Sequence, residues 1–191
     1  MSKRKAKTLK LLVLTIKEFQ DIELVSFASI LTASGKFSKI DYYSPEEKDS
    51  VVGQFNVAHI KTIKSFNVND YDAIYVPGGM GAIHLRTNQK GLAAVHEFVK
   101  ANKWVIAICD SPNALSENKI LNPEDKYISW SDGTMNHPNR IKDFNVQLNR
   151  SNKLITGRCS LTTLELAFYT LEVLFSKEFS EELRAKLTGV A

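Results

Sequence analysis

"WVIAICDSPNAL", residues 104–115, decides the reading of this chain. Five apolar residues, a cysteine and then Asp-Ser-Pro describe a buried strand that ends abruptly and passes into a helix. A strand that turns sharply into a helix with a nucleophile at its apex needs small neighbours two positions before and after it. Ala107 and Ser111 flank Cys109 in that way. Ser111 is placed to cap the following helix, and Pro112 falls in its first turn, where a missing N–H costs little. A thiol at that apex faces the positive end of the helix, which favours the thiolate, whereas the charge of Asp110 opposes ionisation if its side chain points the same way. The alternative is a buried free cysteine that merely fills space.

Working outward, short apolar runs alternate with helical patterns, as in a parallel sheet with crossover helices. "LKLLVLTI" (9–16) reads as a first strand; Leu24, Phe27, Ala28 and Leu31 recur at helical spacing after it, and Gly35 stands where that helix ends. "KIDYYS" is a second strand, "VVGQFNVAHI" a β excursion or hairpin, and "YDAIYVPGGMG" a strand from about Ala73 running into a glycine turn. Leu92, Val95 and Val99 mark a helix before the Cys109 strand. "FNVQLNR" and "NKLITGR" suggest a hairpin, and "SLTTLELAFYTLEVLF" a helix apolar over most of its circumference, hence buried or at an interface. The expected fold is α/β: a flavodoxin-like, three-layer α/β/α sandwich on a mostly parallel sheet.

The 191 residues, 43% of them hydrophobic, are enough for one substantial core. We expect a basic disordered tail over 1–8 and one domain over 9–191. Five of the 25 basic residues lie in "MSKRKAKTLK"; the other 20 stand against 21 acids, so the formal +4 becomes −1 without that segment. The basic pI therefore belongs to the tail, and no basic face points to nucleic acid. No run is long enough to span a membrane, and "LLVLTI", interrupted by Lys17, lacks the cleavage site of a signal peptide. The two cysteines are 50 positions apart, without a CxxC, so neither a disulfide framework nor a metal site is indicated and a reducing cytoplasm is the expected compartment. No cofactor is expected.

In an open α/β sheet, ligands bind beyond the carboxyl ends of the strands. Besides Cys109, two such ends carry candidate residues. "VPGGMG" leaves backbone N–H groups free to face an oxyanion, with Gly79 the natural donor, although Pro-Gly-Gly is as good a plain connector. "FQDIELVSF" puts Asp21 and Glu23 at a helix start, where acids ordinarily serve the dipole; Glu23 among Ile22, Leu24 and Val25 also reads as a buried, protonated carboxyl able to donate to a thiolate.

Taken in order, "DIEL", "YDAIYVPGGMG", "VIAICDSPNAL" and "LITGRCSLTTLELAF" resemble the ThiJ/PfpI superfamily over about Leu9 to Leu174. The resemblance implies an elbow nucleophile, here Cys109, a carboxyl partner, Glu23, and oxyanion donors from Gly79 and the Asp110 backbone. It further implies a site-adjacent arginine, Arg158, and a homodimer. The chain departs from that pattern where members carry histidine: Asp110 follows the cysteine, and "KYISWSDG" offers Trp130. His137 lies 28 residues beyond Cys109, and His59, His84 and His96 read as surface or half-buried residues. Cys159 replaces a small residue in the turn after "TGR" and is a further candidate for the site. The resemblance implies chemistry on a small-molecule carbonyl or related electrophile, of glyoxalase or deglycase type, with isocyanide hydration as an option and peptide hydrolysis disfavoured. A cysteine redox sensor is the second reading and a ligand-binding module the third. Amidotransferase activity is disfavoured because no H-x-E pair is present in the C-terminal half.

Overall fold

The structure, a computed structural model, describes residues 8–131 and 137–189. The expected tail, apart from Thr8, lies outside the described residues. Strands β1 (Leu9–Leu14), β2 (Phe37–Tyr43), β5 (Ala73–Val76), β6 (Trp104–Ile108), β7 (Val146–Asn149) and β8 (Leu154–Gly157) form one sheet in the order β2-β1-β5-β6-β8-β7. All neighbours pair parallel except the β7–β8 hairpin. A separate antiparallel pair, β3 (Ser50–Val52) and β4 (His59–Lys61), is the excursion anticipated at "VVGQFNVAHI".

The alternation of side chains along a strand sends successive residues to opposite faces, and here both faces are buried. Leu12, Leu14, Ile74, Val76, Val105 and Ala107 meet Leu92, Val95 and Phe98 of α3 (Gln89–Lys100) and Ala114 and Leu115 of α4 (Ser111–Glu117). Leu11, Val13, Tyr75, Ile106 and Ile108 meet α1 (Asp21–Ala33), α5 (Thr163–Leu174) and α6 (Lys177–Thr188) through Phe27, Leu31, Leu166, Leu171 and Leu183. That is the three-layer sandwich, and each fully buried Leu, Ile or Phe contributes about 1.5–3 kcal/mol to it.

Two helices were not anticipated. The six residues of α2 (Met80–Leu85) are too few for a hydrophobic period to emerge. α6 has a mostly polar surface, and its signals are at its ends: Ser176 Oγ accepts from Phe179 N at 3.2 Å, and Gly189 closes it at φ 74°. The apolar α5 segment is buried along Leu166, Ala167, Phe168 and Leu171, while Leu164 and the preceding Leu161 are exposed. Among the described residues, no helix is long and apolar enough to cross a membrane.

The strand order reverses between β1 and β5. A crevice is expected at the carboxyl end of a sheet where that happens, and α1, α2 and α4 all begin there. Phe27 stacks on Tyr75 with ring centroids 3.9 Å apart, and the Tyr75 hydroxyl donates to Glu23 O at 3.0 Å. The start of α1 is thereby fixed to the centre of the sheet.

Candidate active site

Cys109 follows the last residue of β6 and has φ 63°, in the left-handed region that non-glycine residues enter at a cost. Its N–H donates to Gly157 O at 3.1 Å and its carbonyl accepts from Trp130 N at 2.8 Å. The backbone is thus held on both sides, and the elbow inferred from Ala107 and Ser111 is present. Ser111 does not cap α4, however. It is the first residue inside the helix, and its hydroxyl donates to Pro77 O at 2.6 Å, tying the elbow to the end of β5.

The Pro-Gly-Gly turn packs against the cysteine so closely that a Cβ on Gly78 would lie 2.5 Å from the Cys109 Cβ and 2.9 Å from Glu23 Oε2. Only glycine fits between the thiol-bearing residue and the carboxyl. The N–H groups of Gly79 (φ 78°) and Asp110 both hydrogen-bond the Cys109 sulfur. They are the two N–H groups that the resemblance implies as oxyanion donors, and here they face the sulfur.

Glu23 is fully buried. Its Oε2 accepts from Gly78 N and its Oε1 from Ser160 Oγ, each at 2.7 Å, and its carboxyl hydrogen-bonds the Cys109 thiol. Burial pushes the Glu23 carboxyl above its ordinary range despite these bonds. Burial and a charged Glu23 likewise push the Cys109 thiol up, against the pull of the Gly79 and Asp110 N–H groups. With Glu23 protonated, that repulsion is replaced by a hydrogen bond donated to sulfur, so the pair accommodates one negative charge and one proton.

Asp110 does not oppose the thiolate as its position in the sequence suggested. Its carboxylate points away into a fork of Arg86, with Nη1 to Oδ2 at 2.6 Å and Nη2 to Oδ1 at 2.9 Å, and also accepts from Asn113 Nδ2 at 2.9 Å. Arg86 simultaneously holds Glu117 through Nε at 2.7 Å, and His137 Nε2 lies 3.5 Å from that same glutamate. His137 therefore ends a surface network and is not paired with the cysteine. Arg158 also departs from expectation: its guanidinium donates to the carbonyls of Lys142 and Phe144, and the residue does not line the cleft beside Cys109.

That cleft encloses about 450 Å³. Cys109, Asp110, Gly79, Trp130 and Cys159 line it together with Ser160, so five of the sequence candidates share one cavity, with Glu23 beneath them. Gln20, Gln54, Met80, Ile83 and Leu161 complete a predominantly apolar wall, without a histidine among the described residues. A larger cavity of about 700 Å³ opens at the other end of the sheet, beside Lys36, Lys103 and Lys153. It contains no thiol or paired acid, and size alone does not make it the reactive site. Among the described residues, no group of three or more His, Cys, Asp or Glu is arranged to hold a metal.

Ser160 and Arg86 are the partners that sequence reasoning missed. Both act across long separations, 137 residues to Glu23 and 24 to Asp110, and no local pattern announces either contact.

The profile of the DJ-1/PfpI family matches residues 9–172. Uncharacterized protein MG029 of Mycoplasma genitalium is 29% identical over 163 residues, which cover 83% of this chain and 84% of that protein. Deglycase PH1704 of Pyrococcus horikoshii is 28% identical over 115 residues, 59% of this chain and 68% of that one. Among solved structures, oxidized Toxoplasma gondii DJ-1 superimposes with a TM-score of 0.80 at 26% identity, covering 95% of this chain and 98% of its own.

Proposed function

Because the chain belongs to the DJ-1/PfpI family, we propose that Cys109 is a nucleophile acting on a small aldehyde or ketoaldehyde, in glyoxalase- or deglycase-like chemistry. The observation that carries this reading is the pairing of a partly exposed thiol with a buried carboxyl in hydrogen-bond contact, with two backbone N–H groups converging on the sulfur. Transfer of the thiol proton to Glu23 leaves a thiolate held by the Gly79 and Asp110 N–H groups. Its attack on the carbonyl carbon forms a C–S bond and moves the negative charge to oxygen, where the same donors are at hand. Glu23 then returns the proton to that oxygen. The apolar wall of Met80, Ile83, Trp130 and Leu161 suits a small, weakly polar substrate, and the deglycase name of the Pyrococcus relative agrees with the reaction class. Turnover of methylglyoxal by the native protein, with complete loss in Cys109→Ser, is the expected result; activity retained in that variant overturns the reading.

A second reading, a redox sensor, is favoured by the Glu23 carboxyl itself, since a protonated buried acid can stabilise an oxidised sulfur by donating to it. Under graded peroxide, Cys109 should then oxidise ahead of Cys159; equal rates count against it.

We also propose a homodimer. Ile22 and Val25 on α1, Phe55 and Val57 on the loop bonded to Asp21, Leu161 just before α5 and Leu164 within it are all exposed, the last two at 92% and 51%. A stable monomer in sedimentation at micromolar concentration contradicts this.

A further inference from the structure

Two thiols line the cleft, and the mechanism above uses one. Cys109 and Cys159 are both free and both partly exposed. Their proximity follows from the sheet. β6 and β8 are adjacent and parallel, Ile108 is in register with Gly157, and Cys109 N donates to Gly157 O at 3.1 Å. Neighbouring strands lie about 4.8 Å apart, and Cys159 follows only two residues after Gly157. The chain then bends back over the site, because Ser160, the next residue, donates to Glu23 at 2.7 Å while Glu23 hydrogen-bonds Cys109. The turn at Ser160–Thr162 is short and holds no fully buried residue, with Leu161 almost fully exposed, so a shift there is opposed chiefly by the Ser160–Glu23 hydrogen bond. A disulfide needs Cα atoms about 4.4–6.8 Å apart, a separation that two strand-end residues on neighbouring strands reach with a small movement of that turn.

We propose that Cys159 is the resolving thiol for Cys109, so that the cleft reduces hydroperoxides by forming an intramolecular Cys109–Cys159 disulfide. The inference rests on Cys109 being the reactive thiol of the preceding section. In the first step the sulfur of Cys109 attacks a peroxide oxygen. The O–O bond breaks, an S–O bond forms, the peroxide leaves as an alcohol or water, and Cys109 becomes a sulfenic acid. In the second step the sulfur of Cys159 attacks the sulfenic sulfur. An S–S bond forms, the S–O bond breaks, and the hydroxyl leaves as water with the Cys159 proton. Two electrons have passed from the two thiols to the peroxide, and an external dithiol returns them by exchange. The apolar wall of the cleft directs this activity towards organic hydroperoxides as well as hydrogen peroxide. Resolution by Cys159 also competes with further oxidation of Cys109 to the sulfinate, which becomes the product only under excess oxidant.

The sequence makes the test direct, because tryptic cleavage after Lys103, Lys119, Arg158 and Lys177 puts the cysteines in separate peptides, Trp104–Lys119 and Cys159–Lys177. The native protein is treated with one equivalent of hydrogen peroxide, alkylated and digested without reductant. The two peptides should be recovered joined, lacking two hydrogens, and separated by dithiothreitol. In Cys159→Ser the joined species should be lost, and with peroxide raised to two or more equivalents the Cys109 peptide should carry two added oxygens. Cys109 oxidised in the native protein with the peptides still separate overturns the resolving role and leaves the reactive thiol standing. An unmodified Cys109 overturns both. Recovery of the link only in covalent dimers on a non-reducing gel overturns the intramolecular assignment.

Discussion

Asp21 and Glu23 start the same helix two residues apart, both are buried, and the regions around them treat charge in opposite ways. Around Asp21, the loop after β3 folds so that the N–H groups of Phe55, Val57 and Ala58 all donate to its carboxylate, at 2.9, 3.1 and 2.7 Å. Burial raises its pKa, and these bonds overcome that, leaving the carboxyl below its ordinary value. Around Glu23, one backbone N–H, one hydroxyl and one thiol face the carboxyl, and burial wins. Deeper burial with a single backbone donor raises Glu23, whereas shallower burial with three backbone donors keeps Asp21 charged. Asp21 consequently serves as an anchor, holding the loop whose Gln54 lines the cleft, and Glu23 is left able to carry a proton.

The comparison is most strongly tested by filling the space beside each acid. A Cβ on Gly53 would lie 2.2 Å from Asp21 Oδ1. Gly53→Ala should therefore lower stability by about 3 kcal/mol in urea unfolding, whereas Gly78→Ala should abolish alkylation of Cys109 by displacing the thiol from Glu23. Next in size, Asp21→Asn replaces an acceptor of three N–H groups by an amide with one acceptor oxygen, and should cost about 2 kcal/mol without changing the rate of Cys109 alkylation.

Acid sharpens the contrast, because the two groups have opposite linkage. The folded-state pKa of Asp21 is depressed, so its contribution is present above the ordinary value of 3.8 and lost as pH falls through the folded value. That of Glu23 is raised, so its contribution is complete below the ordinary 4.5 and lost as pH rises through the folded value. Urea midpoints against pH should show Asp21→Asn flattening the acid limb and Glu23→Gln flattening the limb above 4.5. Interchanged effects would reverse the assignment of charge. The smallest effect is expected at low pH, where Glu23→Gln exchanges one neutral group for another and should alter stability by less than about 1 kcal/mol, while still moving the pH profile of Cys109 alkylation.

The sequence disclosed those parts of the site that are local. Small residues around Cys109, glycines after an apolar strand and an acid among apolar neighbours are patterns within a few positions, and the strands they end were readable from continuous apolar runs. Partners supplied by the sheet order were not readable. Ser160 reaches Glu23 only because β8 lies beside β6, and Arg86 reaches Asp110 only because α2 packs against α4. Only the family resemblance places Arg158 near the site, and its guanidinium turns instead to the carbonyls of Lys142 and Phe144. In the sequence the effect of Asp110 is conditional on where its side chain points, and the contact with Arg86 that decides it is a long-range one.

The positive φ of Cys109 has a consequence for how this protein tolerates change. A residue with a Cβ in the left-handed region is destabilised by roughly 1–2 kcal/mol, and glycine escapes that penalty. A population of variants sorted for thermal persistence alone should therefore enrich Cys109→Gly, and one sorted for thiol reactivity should exclude it. Position 109 is where durability and chemistry select different amino acids.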